Sequence, residues 1–115
     1  MATRTTGRFY FKKTSNGNLL GEFSNHAEPD VFTESSDLIP SISDSGADDK
    51  PNYLGKYASH WREGQTALFA NLEITRKTNS AALFRLQWRG RGSAGNFEGE
   101  AMLCDDILVG DYHSI

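Results

Sequence analysis

Three copies of one short pattern decide the fold: an apolar residue, a glycine, any residue and an aromatic ring. The copies are Leu20-Gly21-Glu22-Phe23, Leu54-Gly55-Lys56-Tyr57-Ala58-Ser59 and Val109-Gly110-Asp111-Tyr112-His113-Ser114. Alternation of apolar and polar residues is typical of strands, and a glycine inside a strand costs entropy and packing. Its repeated use predicts sharply coiled strands whose glycines are covered by aromatic rings of neighbouring strands.

The same alternation extends over most of the chain. No window has the sustained spacing of an amphipathic helix, so helix should be scarce. Strong coiling favours closure of the sheet, because it brings the edge strands together. The sequence predicts an all-β fold, a seven- or eight-stranded antiparallel up-and-down barrel. Seven strands are expected, at about 7–14, 18–25, 52–62, 66–77, 81–90, 94–104 and 106–113. Whether residues 30–34 form an eighth strand is left open.

Two hairpin registers follow from the need to bury one face of each strand, since a slip of one residue would invert the face. A three-residue loop at 15–17 places Phe9 opposite Phe23 and buries both rings. A tight turn after Cys104 places Gly99 opposite Tyr112.

The two central hairpins are phased in the same way. A four-residue loop at 62–65 aligns Tyr57 with Ala70. The following pair then aligns Leu72 with Leu86. Both alignments set large residues against small or aliphatic ones on the buried face.

Composition is typical of one small domain. At 115 residues the chain can bury one core, and we expect a single domain over residues 1–115. The start lacks the apolar stretch of a secretory signal, no segment is apolar enough for a membrane helix, and Cys104 is the single cysteine. These features predict a cytoplasmic protein that is not inserted in a membrane.

Charge is distributed unevenly along the chain. Residues 26–50 hold seven acids against Lys50, whereas the remainder holds eleven bases against eight acids. With Pro40, Gly46 and Pro51 as breakers, the segment at about 37–52 is predicted to be a long acidic loop. The net charge of −3 argues against general nucleic-acid binding, which needs a basic surface.

The segments Leu54-Gly55-Lys56-Tyr57-Ala58-Ser59 and Leu20-Gly21-Glu22-Phe23 resemble the L-x-G-x-Y-x-S strands of avidin-like barrels, in the calycin group that includes lipocalins. Leu86-Gln87-Trp88-Arg89 is similar to the tryptophan strands of that group. The resemblance implies meandering strands with a pocket at one barrel mouth. It does not imply biotin binding, because Phe11 stands where an avidin presents an asparagine.

Ten aromatic rings fall on the buried phase of the strands: Phe9, Phe11, Phe23, Tyr53, Tyr57, Trp61, Phe84, Trp88, Phe97 and Tyr112. They predict either a filled aromatic core or a small cavity, because buried tyrosine and tryptophan need polar partners that a ligand supplies. A ligand binder would need about 300 Å³ or more. The expected function is non-catalytic binding of a small, partly apolar or aromatic ligand at the barrel mouth. The candidate ligand-binding residues are Tyr57, Ser59, Trp61, Trp88 and Tyr112.

A second function class stays open. A protein-binding module such as an enzyme inhibitor would use the acidic residues 28–50 as its contact element. A homodimer is also compatible with the sequence, since Met102, Ile107 and Val109 point outward on the last hairpin. No enzyme activity, cofactor or metal is predicted, because the expected strand geometry brings together no nucleophile with a base, no acid/base pair and no histidine cluster.

Overall fold

The computed structural model describes residues 4–40, 53–77 and 82–115. Each strand there pairs with the next, and the last pairs with the first, which closes an antiparallel up-and-down barrel. The predicted all-β barrel is confirmed, with eight strands. They are β1 (Thr6–Lys13), β2 (Leu19–Asn25), β3 (Glu28–Leu38), β4 (Gly55–Glu63), β5 (Thr66–Arg76), β6 (Leu83–Arg91), β7 (Phe97–Cys104) and β8 (Ile107–Ser114).

The described ranges contain no helix that is long and apolar enough to cross a bilayer.

The registers of the first and last hairpins are confirmed. Phe9 pairs with Phe23 across β1 and β2, and Gly17 in the connecting loop has a φ of 86°. Gly99 pairs with Tyr112 across β7 and β8. In both hairpins a short, well-defined turn fixes the pairing, as a turn of fixed length must.

The registers predicted for the two central hairpins are wrong by two residues. Tyr57 pairs with Leu72 rather than Ala70, because the turn between β4 and β5 is the two-residue Gly64-Gln65 and not a four-residue loop. Leu72 pairs in turn with Trp88 rather than Leu86. A slip of two residues keeps every side chain on its face, so burial cannot distinguish the two alignments.

The acidic segment contains a complete strand. Residues 28–38 form β3, whose Phe32 pairs with Phe23 of β2. The predicted loop at 37–52 therefore starts too early, since Asp37 and Leu38 still belong to β3 and pair with β4. The predicted contact element at 28–50 divides likewise: its first part is barrel wall, and residues 41–52 lie outside the described ranges.

Of the three glycines in the repeated pattern, Gly21 is covered by an aromatic ring of a neighbouring strand, as predicted. Leu38 lies nearest to Gly55, and Ala101 rather than a ring lies against Gly110.

A Cβ on Gly21 would lie 2.8 Å from the ring of Phe11 on β1 and 1.9 Å from the Tyr10 carbonyl oxygen. A Cβ on Gly7 would lie 2.7 Å from the ring of Tyr112 on β8. Only glycine permits these close approaches between neighbouring strands.

The ten rings predicted to face inward do so. Eight are buried, and Phe23 and Phe97 are partly buried against the same core. On the outer face, Met102, Ile107 and Val109 are exposed, as the strand phase predicts.

The two ends of the barrel differ because connections alternate between them in an up-and-down sheet. One end, which we call the closed end, carries the β1–β2 and β7–β8 turns. The β3–β4 connection also leaves and rejoins the barrel there, at Pro40 and Tyr53. The other, here the open end, carries the β2–β3, β4–β5 and β6–β7 turns. The acidic connection thus leaves and rejoins the barrel at the closed end.

Candidate functional site

The candidate site is a cavity of about 180 Å³ at the open end. The strands supply it with inward-facing side chains from their open-end halves, so that rings from six strands converge there. Thr5, Asn25, Ala27 and three glutamates complete the lining. The rings are Phe9, Phe23, Trp61, Trp88, Phe97 and Tyr112.

Most of the ring contacts in the cavity are edge to face, and the contacts of Tyr112 with Trp88 and Phe9 are tilted. Tyr112 is central, with ring centroids 6.0 Å from both Phe23 and Trp88 and 5.9 Å from Phe97. Trp61 meets Phe23 at 6.1 Å with an interplanar angle of 89°. This geometry is favourable for aromatic pairs, and it holds the cavity walls in place.

Glu34 lies at the inner side of this cavity, among the rings. It sits on the inward phase of β3 and is 5% exposed. Its Oε2 accepts a hydrogen bond from the Trp88 indole N–H at 2.9 Å and another from the Ser59 hydroxyl. The Ser36 hydroxyl donates in turn to Ser59 Oγ at 3.0 Å. A buried polar layer therefore links β3, β4 and β6 beneath the cavity.

Burial raises the pKa of the Glu34 carboxyl to about 7, although the hydrogen bonds from Ser59 and Trp88 oppose the rise. Desolvation dominates because an ionised carboxylate loses more hydration than two donors return. Near neutral pH this group therefore exists in both protonation states. A perturbed carboxyl in an aromatic cavity is typical of functional sites.

The rim of the cavity also carries negative charge. Trp61 points its indole N–H toward Glu63, with 3.4 Å between Nε1 and Oε2. Tyr112 donates its hydroxyl to the Ser24 carbonyl at 3.1 Å. Burial, helped by the charges of Glu34 and Glu63, raises the pKa of Tyr112 to about 12. Tyr112 therefore stays a neutral donor at physiological pH.

The structure brings together three of the five predicted site residues. Trp61, Trp88 and Tyr112 line the cavity. Ser59 lies one hydrogen bond behind it, on Glu34. Tyr57 does not line it: its hydroxyl donates to the Tyr53 carbonyl at 2.9 Å, toward the closed end.

Sequence reasoning missed Glu34, the group around which the site is organised. It placed Glu34 at the end of a short eighth strand left open near 30–34 and counted it among the seven acids of residues 26–50, without assigning its side chain to the barrel interior. The signal that could have found it is the alternation of Phe32, Glu34, Ser36 and Leu38, which share one face when the strand is extended through the whole segment.

The volume of the cavity corrects a further expectation. About 180 Å³ is smaller than the roughly 300 Å³ or more that we expected a ligand binder to need, and it corresponds to roughly six waters of liquid volume. The barrel is neither fully filled nor widely hollow, because large rings occupy most of its interior. The remaining space fits a compact ligand, with one ring or a short chain and one polar group.

Other candidate groups lie apart from this cavity. His60 contacts Ser35 at 2.8 Å and His113 contacts Glu98 at 3.0 Å, both on the outer face, and Cys104 is exposed. Within residues 4–40, 53–77 and 82–115, no three His, Cys, Asp or Glu side chains are grouped to hold a metal ion.

Comparison of the chain with known protein families, curated proteins and solved structures finds no match.

Proposed function

We propose that this protein binds a small, partly apolar ligand, without catalysis, in the open-end cavity. One observation carries the proposal: a buried carboxyl and six aromatic rings converge on a space that protein atoms leave free. Filling that space would add packing, so leaving it free costs stability unless a ligand occupies it. The likeness of the sequence to avidin-like and lipocalin-like strands supports a mouth-binding role by analogy.

The ligand is held between the rings and reaches the polar layer with one polar group. Trp61, Trp88 and Tyr112 form the apolar walls, and Glu34 receives the polar group. Ser59 acts through Glu34 as a positioning residue, since its hydroxyl holds the carboxylate oxygen. This arrangement explains why tryptophan and tyrosine, rather than aliphatic residues, line the mouth: each has an apolar body and a polar tip.

Native mass spectrometry of the protein purified from its own cells tests this function. We expect one small molecule bound per chain. The variant Ala27→Trp, which places a large ring at the rim, should lose most of that adduct. Ala67→Trp is the matched control, because Ala67 is exposed on the outside of β5 and does not line the cavity.

The alternative function is that of a protein-binding module, and the same mass spectrum distinguishes it from small-ligand binding. A stoichiometric protein partner with an empty cavity would contradict the small-ligand proposal. Equal loss of the adduct from both tryptophan variants would also contradict it, because the control leaves the mouth open.

A further inference from the structure

The charges that line the cavity all have one sign. Glu28 and Glu63 lie at the rim and Glu34 lies deeper. In the part of the chain that the structure describes, no Lys or Arg side chain lines the cavity. Apolar walls of low dielectric constant concentrate the field of such charges, so the mouth attracts cations and repels anions.

Glu34 itself has one oxygen without a donor. Both of its hydrogen bonds, from Ser59 and Trp88, end on Oε2. No described residue donates to Oε1, yet no described side-chain oxygen is both fully buried and unpartnered. Oε1 therefore faces the cavity. A buried carboxylate is stabilised by an opposite charge that also donates a hydrogen bond.

The aromatic walls suit a positive charge as well. Trp61 and Trp88 present indole rings, the side chains that attract cations most strongly through their faces. At the closed end a cation of the chain itself contacts a buried tyrosine: Lys13 Nζ donates to the Tyr57 hydroxyl at 3.3 Å, at the edge of the ring rather than over its face. At the open end the rings and carboxylates are present, and none of the described lysine or arginine side chains lines the cavity with them.

We propose that the ligand is a small organic amine in its ammonium form, with its N–H groups on Glu34 Oε1 and its apolar part between Trp61 and Trp88. This inference rests on the proposed function and names its ligand class. A primary ammonium fits better than a quaternary one, because Oε1 lacks a hydrogen-bond donor. An inorganic cation would leave the ring-lined space above Glu34 unfilled, and an anion would meet three carboxylates.

Calorimetric titration with three probes of matched shape tests the charge assignment on the unmodified protein. The probes are 2-phenylethylamine, 2-phenylethanol and phenylacetate, at about pH 8 so that the Glu34 carboxyl is largely ionised. We expect the amine to bind about tenfold or more tightly than the alcohol. Phenylacetate should give no measurable heat.

A pair of variants tests the role of Glu34. Glu34→Gln should lower the affinity for the amine about tenfold or more and leave the affinity for the alcohol nearly unchanged. Glu22→Gln removes the same charge from β2 on the outer face, where Glu22 accepts from Tyr10, and should leave amine binding unchanged. The thermal transition of each variant shows whether it is folded.

The outcomes separate this inference from the proposed function. Equal binding of amine and alcohol, or tighter binding of phenylacetate, would overturn the ammonium assignment while the small-ligand function stands. Unchanged amine affinity in a folded Glu34→Gln would overturn the contact with Oε1. No binding of any of the three probes would contradict the proposed function itself.

Discussion

The closed and open ends of the barrel use similar side chains in opposite ways. At the closed end the Tyr53 hydroxyl donates to the Asp106 carbonyl at 2.6 Å, and Tyr57 donates to Tyr53. At the open end the Trp88 indole donates to a carboxylate whose other oxygen faces a cavity. The closed end satisfies its buried polar groups with its own backbone, so it stabilises the fold. The open end leaves one carboxylate oxygen to which no described residue donates, so it costs stability, and under our proposal a ligand supplies the missing donor.

The serine pair between the ends marks the boundary. Ser36 and Ser59 are buried; the Ser36 hydroxyl donates to Ser59, and the Ser59 hydroxyl donates to Glu34. Below them lie fully buried residues such as Phe11 and Leu108, and above them lies the cavity. Changes below this layer should affect stability, and changes above it should affect binding.

The largest expected effect comes from removing one ring at each end. Phe11→Ala should cost about 4 kcal/mol of unfolding free energy, because Phe11 is 1% exposed and the cavity left behind cannot collapse. Phe23→Ala, on the partly buried rim, should cost about half of that or less and should weaken ligand binding. Urea unfolding of both variants measures the difference. Equal losses would remove the distinction between the ends.

The next effect concerns the carboxyl of Glu34 and the pH. Its pKa is raised from about 4.5 in the unfolded chain to about 7 in the folded protein. As the pH rises, the unfolded chain therefore loses this proton at a lower pH than the folded protein does. The stability that this group contributes is present in full below pH 4.5 and is lost as the pH rises through 7. The loss amounts to about 3 kcal/mol at most. Glu34→Gln should therefore be more stable than the unmodified protein at about pH 8.

Urea unfolding of both proteins between about pH 5 and pH 8 checks this prediction. The difference between the two curves isolates Glu34, because the two proteins differ in that one titratable group. An identical pH dependence in Glu34→Gln would show that the carboxyl is not desolvated.

A smaller effect is expected from the hydroxyl that caps the closed end. Tyr53→Phe removes the donor to the carbonyls of Phe11, at 3.2 Å, and Asp106. We expect a loss of about 1–2 kcal/mol, because the single hydroxyl hydrogen, which lies nearest to the Asp106 carbonyl, is removed from the barrel interior while the ring still packs. Thermal unfolding measures the loss, and binding at the open end should not change. A large loss of ligand affinity would show that the ends are coupled.

The smallest effect should follow deletion of Ser43–Asp49 from the acidic connection, which lies outside the described residues. Its sequence has few apolar anchors, and shortening an unanchored loop changes closure entropy by well under about 1 kcal/mol. Ligand binding should also be retained, since the connection joins the barrel at the closed end. A fall in melting temperature of roughly 10 °C or more would contradict this prediction.

The sequence predicted the faces of the strands better than their partners. Inward placement of Trp61 and Trp88 followed from alternation alone. The opposite phase of each strand would have placed charged side chains in the barrel interior. The pairing of Tyr57 with Leu72 did not follow, since two registers bury the same side chains. Glu34 was missed because the eighth strand was expected only near 30–34, too short to show that Glu34 and Ser36 share the inward face. Pairing with β2 and β4 extends that strand to Leu38.

The most direct test of the account is the nuclear magnetic resonance spectrum of the two indole N–H groups. The chain has two tryptophans, and both Trp61 and Trp88 line the open-end cavity. Saturation with 2-phenylethylamine should shift both indole signals and leave the closed-end amides of Phe11 and Leu108 unmoved. Shifts confined to the closed end, or unmoved indole signals at saturation, would contradict the assignment of binding to the open end.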